Sequence, residues 1–266
     1  MHEGDATRVR EAAAGLQTRT ANHYDLHPFE FLTAEDEVRI EDWQPRPFRR
    51  FVEEFLRPGQ YVAEIGCGPG RGTLYLTRCH FAVIAVDISF TSLLLARRRA
   101  PDAAYVVATN LRLPLPDESC DAVVSDGVIH HTPDPKRAFT ENVRVLKPGG
   151  HLYLALYNRR GYYYYLYTYL GVPLRWLAKR SWGRALVQAT LLPIYYLVHL
   201  VKSRGKHTWR GATHFFYDYL ITPRASFHSW DQIEHWASLA GLSVLNYDPD
   251  VGNVHAFILR KNGASP

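Results

Sequence analysis

Three glycines at alternating positions, Gly66, Gly68 and Gly70, follow a short apolar run that ends in Glu64 and Ile65. A backbone without Cβ takes positive φ easily and lets a ligand lie against it, so this turn suits a nucleotide-like group at a helix start. A second apolar run, 81–86, ends in Asp87. That is about twenty residues past the glycines, where a carboxylate of a βαβ unit grips ribose hydroxyls. The order is G-x-G-x-G, which differs from the dinucleotide fingerprint G-x-G-x-x-G. Histidines are the natural proton acceptors near neutral pH. The candidates are His130 and His131, in a loop after a fourth apolar run, with His214 and His228 further on.

These groups need a frame, and the chain supplies strand and helix patterns in alternation. Strands are expected at 61–65, 81–86, 104–108, 121–125 and 151–157. Between them lie helices at 72–79, 89–99 (capped by Ser89, ended by Pro101) and 135–146. Such an order requires a parallel sheet with right-handed crossovers. Upstream, 8–20 reads as a helix, 22–30 as an aromatic and His-bearing loop containing Tyr24, and 45–56 as an amphipathic helix. The alternation breaks at Asn158. It resumes with a helix capped by Ser229 and two strands, 242–247 and 254–260, that would form an antiparallel edge. Residues beyond 261 are polar and small, as in a loose tail.

The segments Glu64-Ile65-Gly66-Cys67-Gly68-Pro69-Gly70 and Val86-Asp87-Ile88-Ser89 resemble the first two motifs of the class I S-adenosylmethionine-dependent methyltransferases, in their small-molecule form. The Leu146-Lys147-Pro148-Gly149-Gly150 turn is also similar to this family. The resemblance implies a Rossmann-like α/β fold: a seven-stranded, mostly parallel sheet with an antiparallel last strand and a helical insertion after strand five. It implies S-adenosyl-L-methionine as donor and S-adenosyl-L-homocysteine as product. The glycines would approach the methionine part, Glu64 would organise the turn or meet the amino group, Asp87 would bind ribose and Ile88 would cover adenine. Where the family usually offers Asp to the adenine amine, this chain has Thr109 beside Asn110, and either oxygen can accept that bond. Small Ser125 and Gly127 would let donor and acceptor meet.

Three regions follow: an arm at 1–57 capping the site, a core at 58–158 and 229–261, and an aromatic, basic insertion at 159–228. From 142 to 217 there is no Asp or Glu but there are twelve Arg and Lys, against a net charge of +5 for the whole chain. The insertion has three readings: a lid whose Tyr162 and Tyr165 line the acceptor pocket, a homodimer surface, or a face lying on anionic membrane. Residues 185–201, with Gln188, Pro193 and His199, are too short and too polar for a span. Tyr217-Asp218-Tyr219-Leu220 with Pro223 and His228 resembles, more loosely, insertions that close an acceptor site.

Methyl transfer is an in-line displacement, so the protein chiefly aligns and desolvates, and a base matters when the acceptor is a hydroxyl or a protonated amine. The leading expectation is methylation at O or N of a small, aromatic or hydrophobic metabolite. A lipidic or membrane-associated acceptor and a non-catalytic cofactor-binding module are the alternatives. Nucleic acid is disfavoured, since the loop 125–128 lacks the Asn/Asp-Pro-Pro-aromatic run that holds a base amine. Cys67, Cys79 and Cys120 make neither a disulfide framework nor a zinc set, and no metal is expected. With no signal-peptide pattern at the start, a cytoplasmic setting is expected.

Overall fold

A computed structural model describes residues 3–28, 32–202, 209–222 and 224–263. Seven strands form one sheet: β1 (Tyr61–Ile65), β2 (Ala82–Asp87), β3 (Ala104–Val107), β4 (Cys120–Asp126), β5 (Leu146–Tyr157), β6 (Leu242–Val251) and β7 (Val254–Lys261), in the order β3-β2-β1-β4-β5-β7-β6. The first five pair in parallel, and β7 runs antiparallel between β5 and β6. The central strands are apolar along their length because both faces are covered. One face packs Ile65, Val123 and Leu152 against α6 (Pro135–Val145) and α11 (Trp230–Leu239), through Phe139 and Trp236. On the other, Val62, Val124 and Tyr153 meet α3 (Arg46–Arg50), which follows the short α2 (Ala34–Val38), and α4 (Arg71–Arg78), through Phe48 and Leu76.

Local chemistry fixes the helix starts. Ser89 accepts from the Ser92 N–H to cap α5 (Phe90–Arg99), and Asp134 and Ser229 do the same for α6 and α11. The strand order reverses between β2-β1 and β4-β5, so the carboxyl ends of β1 and β4 flank the switch point where open α/β sheets hold ligands.

Three expectations change. The 8–20 helix and the loop after it are one helix, α1 (Glu3–Leu26), which carries Tyr24 on its last turn. Tertiary anchors hold this end in helical form. Gln17 Nε2 donates to Thr109 Oγ1, and Asp25 Oδ1 accepts from Ser89 Oγ (2.6 Å) and the Thr91 N–H (3.1 Å). Phe29 and Glu30 lie outside the described residues. The Lys147–Gly150 turn is a bulge within β5, where pairing jumps from Cys120↔Leu146 to Ala122↔His151. Strand β6 continues to Val251 because β7 pairs along it through two register shifts.

The segment after β5 is helical: α7 (Tyr162–Tyr165), a π-helical turn (Leu166–Leu170), α8 (Gly171–Ala178), α9 (Ser181–Lys202) and α10 (Trp209–Phe216), then a second π-helical turn (Tyr217–Ile221). Val187, Leu192, Phe216 and Leu220 give it a small core of its own. No helix among the described residues is long and apolar enough to cross a membrane. Pro223, Arg204 and Lys206 lie outside the described residues, as do the side chains of Lys202 and Arg210.

Candidate active site

The glycine turn is tied down by the neighbouring strand. The Val86 carbonyl accepts from the N–H of Gly66 (2.7 Å) and of Cys67 (3.1 Å). Asp87 accepts the Gly68 N–H at Oδ2 and the Ser89 N–H at Oδ1, both at 2.8 Å. Burial pushes the Asp87 carboxyl above its ordinary value, and these backbone bonds draw it back. The glycines are required for different reasons. A Cβ on Gly66 would overlap the Val128 side chain, and one on Gly70 would stand 2.8 Å from the Ala96 Cα. Gly68, at φ +52°, has open space where its Cβ would be. It borders a cavity of about 340 Å³.

Of the residues expected to hold the cofactor, Gly66, Gly68, Asp87, Ile88, Thr109 and Asn110 lie on that cavity's wall. Gly70, Glu64 and Ser125 do not. Glu64 is buried beneath the turn, taking the Thr73 hydroxyl, in space that exists only because Gly72 has no side chain. Burial raises its carboxyl to about 8, so it braces the turn as a largely neutral acid. Ser125 is fully buried in the sheet opposite Leu154, and the wall is formed by the next residues, Asp126, Gly127 and Val128. Thr109 Oγ1 is engaged by Gln17 and by the Leu111 N–H. Asn110 differs: both its amide atoms are buried without a partner in the chain. An orphaned donor and acceptor on a cavity wall fit the polar edge of an adenine ring.

A second group of wall residues brings the three regions of the chain together. Asp218, in the π-helical turn after α10, accepts the Tyr24 hydroxyl at Oδ1 (3.1 Å) and the Tyr157 hydroxyl at Oδ2 (3.0 Å). His131 Nε2 lies 3.8 Å from Asp218 Oδ1. Its Nδ1 is 2.8 Å from the Arg224 carbonyl, which can only accept, so the neutral ring carries its proton there and keeps a lone pair on Nε2. His130 is also on the wall, but the Tyr157 N–H donates to its Nδ1 at 3.3 Å. Burial holds its pKa well below the ordinary value, with His131 next in effect. Its remaining nitrogen is then a donor, so His131 is the better placed base.

The other expectations separate from this cluster. His228 has both ring nitrogens engaged, by Ser226 Oγ and Gln232 Oε1, and is off the wall. Tyr162 and Tyr165 are exposed, at 62 % and 59 %, because the helix turns Tyr163 and Tyr167 inward instead. The His214 side chain lies outside the described residues. Asp218 was not singled out from the sequence as a site residue, although a signal exists: it is the only acid between 142 and 230. Arg71 also reaches the wall, paired with Asp126 at 2.8 Å.

Residues 63–154 match the methyltransferase domain family. The chain is similar to a demethylmenaquinone methyltransferase of Renibacterium salmoninarum, with 34% identity over 117 residues, 43% of this chain and 49% of that protein. It is also similar to the human probable tRNA methyltransferase 9B, with 39% identity over 107 residues, 39% of this chain and 22% of that protein. Thus the chain spans about half the length of the first relative and under a quarter of the second. Among solved structures it resembles the Burkholderia thailandensis 1,6-didemethyltoxoflavin-N1-methyltransferase with bound S-adenosylhomocysteine. The TM-score is 0.51 at 15% identity, covering 86% of this chain and 80% of that one, a likeness of fold. The match to the methyltransferase domain family thus falls on residues 63–154, within a sheet order and a glycine turn of Rossmann-like form.

Proposed function

We propose that this protein transfers a methyl group from S-adenosylmethionine to an O or N atom of a small, aromatic or hydrophobic acceptor. The observation that carries this reading is one cavity that runs from the glycine turn to the Tyr24–Asp218–Tyr157–His131 cluster. At one end, Gly66 and Gly68 offer close backbone approach, Asp87 keeps unused lone pairs for ribose hydroxyls, and Asn110 meets the adenine edge. When bound, the cofactor supplies a methyl group on a sulfonium sulfur, open to in-line attack.

At the other end, the chain aligns the acceptor, excludes water and holds a proton. Tyr24, Tyr157 and Tyr219 supply aromatic wall, and α1 and the insertion roof the cavity. His131 Nε2 accepts the proton that an acceptor hydroxyl or amine releases. The imidazolium so formed lies beside the Asp218 carboxylate, which two tyrosine hydroxyls keep as an acceptor. These enclosing aromatics favour a compact acceptor over a polynucleotide.

The test is a screen of phenols, quinols, hydroxyquinolines and heteroaromatic amines, read as S-adenosylhomocysteine formed. Turnover with a compact aromatic acceptor, lowered by about 10²-fold or more in His131→Ala, supports the reading. Cofactor binding without turnover on any of these nucleophiles would leave the non-catalytic module in its place.

A further inference from the structure

Two exposed apolar stripes on the insertion lie off the cavity wall. Tyr165, Tyr169, Val172 and Trp176 follow one another at i, i+4, i+7 and i+11 along the helical run from α7 through α8, and each is more than half exposed. Ile194, Leu197, Val198 and Val201 repeat the pattern on α9, at i, i+3, i+4 and i+7, again more than half exposed. Monomeric soluble proteins rarely leave apolar stripes of this extent in water.

Charge says what covers them. Lys179, Arg180 and Arg184 are exposed beside these stripes, with the Arg180 guanidinium 4.1 Å from the centre of the Trp176 ring. Arg159 and Arg160, at the root of the insertion, are exposed as well. The one acid of the region, Asp218, is turned into the cavity wall and occupied by two tyrosines. Trp and Tyr over aliphatic residues, flanked by cations and free of surface acids, are the make-up of helices that lie in the interface of an anionic bilayer. A second copy fits less well, since an isologous contact would bring two acid-free basic faces together. Nucleic-acid bases could stack on Tyr165, Tyr169 and Trp176 but would leave the aliphatic stripe of Ile194, Leu197, Val198 and Val201 uncovered.

We propose that α8 and α9 dock this protein on the surface of an anionic lipid bilayer, with the apolar stripes in the acyl boundary and the basic residues at the headgroups. None of this depends on the methyl-transfer reading. Among the described residues no helix can span, so the contact is peripheral.

Co-sedimentation of the full chain with phosphatidylcholine vesicles, with and without phosphatidylglycerol, tests it. Binding to the phosphatidylglycerol vesicles is expected, weakened roughly tenfold or more by high salt or by leaving out the anionic lipid. The double variant Trp176→Glu, Leu197→Glu should stay in the supernatant while its melting temperature and its affinity for S-adenosylhomocysteine match the parent. Absence of binding to anionic vesicles by the folded parent overturns the proposal, as does equal binding by the variant. A dimer that the double variant splits, in a protein that ignores vesicles, would assign the face to self-association instead.

Discussion

The Tyr24 hydroxyl donates to Asp218 Oδ1 at 3.1 Å, across 194 residues of sequence, and so joins the first helix to the insertion over the cavity. Tyr157, at the end of β5, completes the arrangement through Oδ2. One carboxylate thereby holds arm, core and insertion together and stands 3.8 Å from the candidate base.

His131→Ala should lower kcat by about 10²–10⁴, the usual span for loss of a general base. Asp218→Asn should lower it less, because shape is kept and only the charge facing Nε2 is lost. Groups that act as a unit are not additive, so the double variant should be no worse than His131→Ala alone. Initial rates with an acceptor from the screen decide this; losses that multiply would separate the two residues.

Asn110→Ala should weaken binding of the cofactor product without loss of fold. Two hydrogen bonds to a buried amide are worth about 1–3 kcal/mol, or roughly fivefold to 150-fold in Kd. Thr109→Val, at a hydroxyl already committed to Gln17, should act instead on the anchoring of α1. Limited proteolysis within α1 reads that effect, and unchanged cleavage would contradict it.

Two neighbouring glycines should respond in opposite ways. Gly66→Ala forces a methyl group into the Val128 side chain at φ +77°, and should cost stability well beyond the roughly 1–2 kcal/mol of a left-handed residue. Gly68→Ala meets no protein atom within 4 Å, so it should fold with only the backbone cost and lose cofactor affinity as its methyl projects into the cavity. Melting temperatures with and without S-adenosylhomocysteine separate the two. Equal destabilisation with equal ligand response would refute the distinction.

Glu64 predicts a pH dependence of stability. Its carboxyl titrates at about 8 when buried, against 4.5 ordinarily, so between these values the folded chain keeps a proton that the unfolded chain has released. The contribution is fully present below about 4.5 and is lost as pH rises through about 8. In Glu64→Gln, which keeps an acceptor for the Thr73 hydroxyl, the decline in denaturation midpoint from pH 5 to 8 should be shallower. Parallel curves for parent and variant would show that Glu64 is ionised in place.

The glycine turn and the elements around it were legible in the sequence because they are local. Strand, glycine turn and capped helix lie within 61–99, and each has its own signature in spacing, from Gly68 to the Ser89 cap. Parallel pairing of the first five strands also followed from the alternation of elements, and the last two strands form the expected antiparallel pair, with β6 at the edge. The cluster around Asp218 was not legible, because it is assembled from distant parts of the chain that meet only in three dimensions. Tyr24, read as part of a loop, is helical through bonds that α1 makes to α5 and to Thr109. In the run Tyr162–Tyr165, composition cannot say which ring turns inward. Helical phase sends Tyr163 to the core and Tyr162 and Tyr165 to solvent. Glu64 and Ser125 carried polar groups next to expected ligand positions, yet burial directs both into the scaffold.

A calorimetric titration of the folded chain with S-adenosylhomocysteine tests the central claim, that the cavity between the glycine turn and Asn110 holds the cofactor. Saturable one-to-one binding is predicted, weakened in Asn110→Ala and in Gly68→Ala. No saturable heat from the folded parent, or identical binding by both variants, would contradict it.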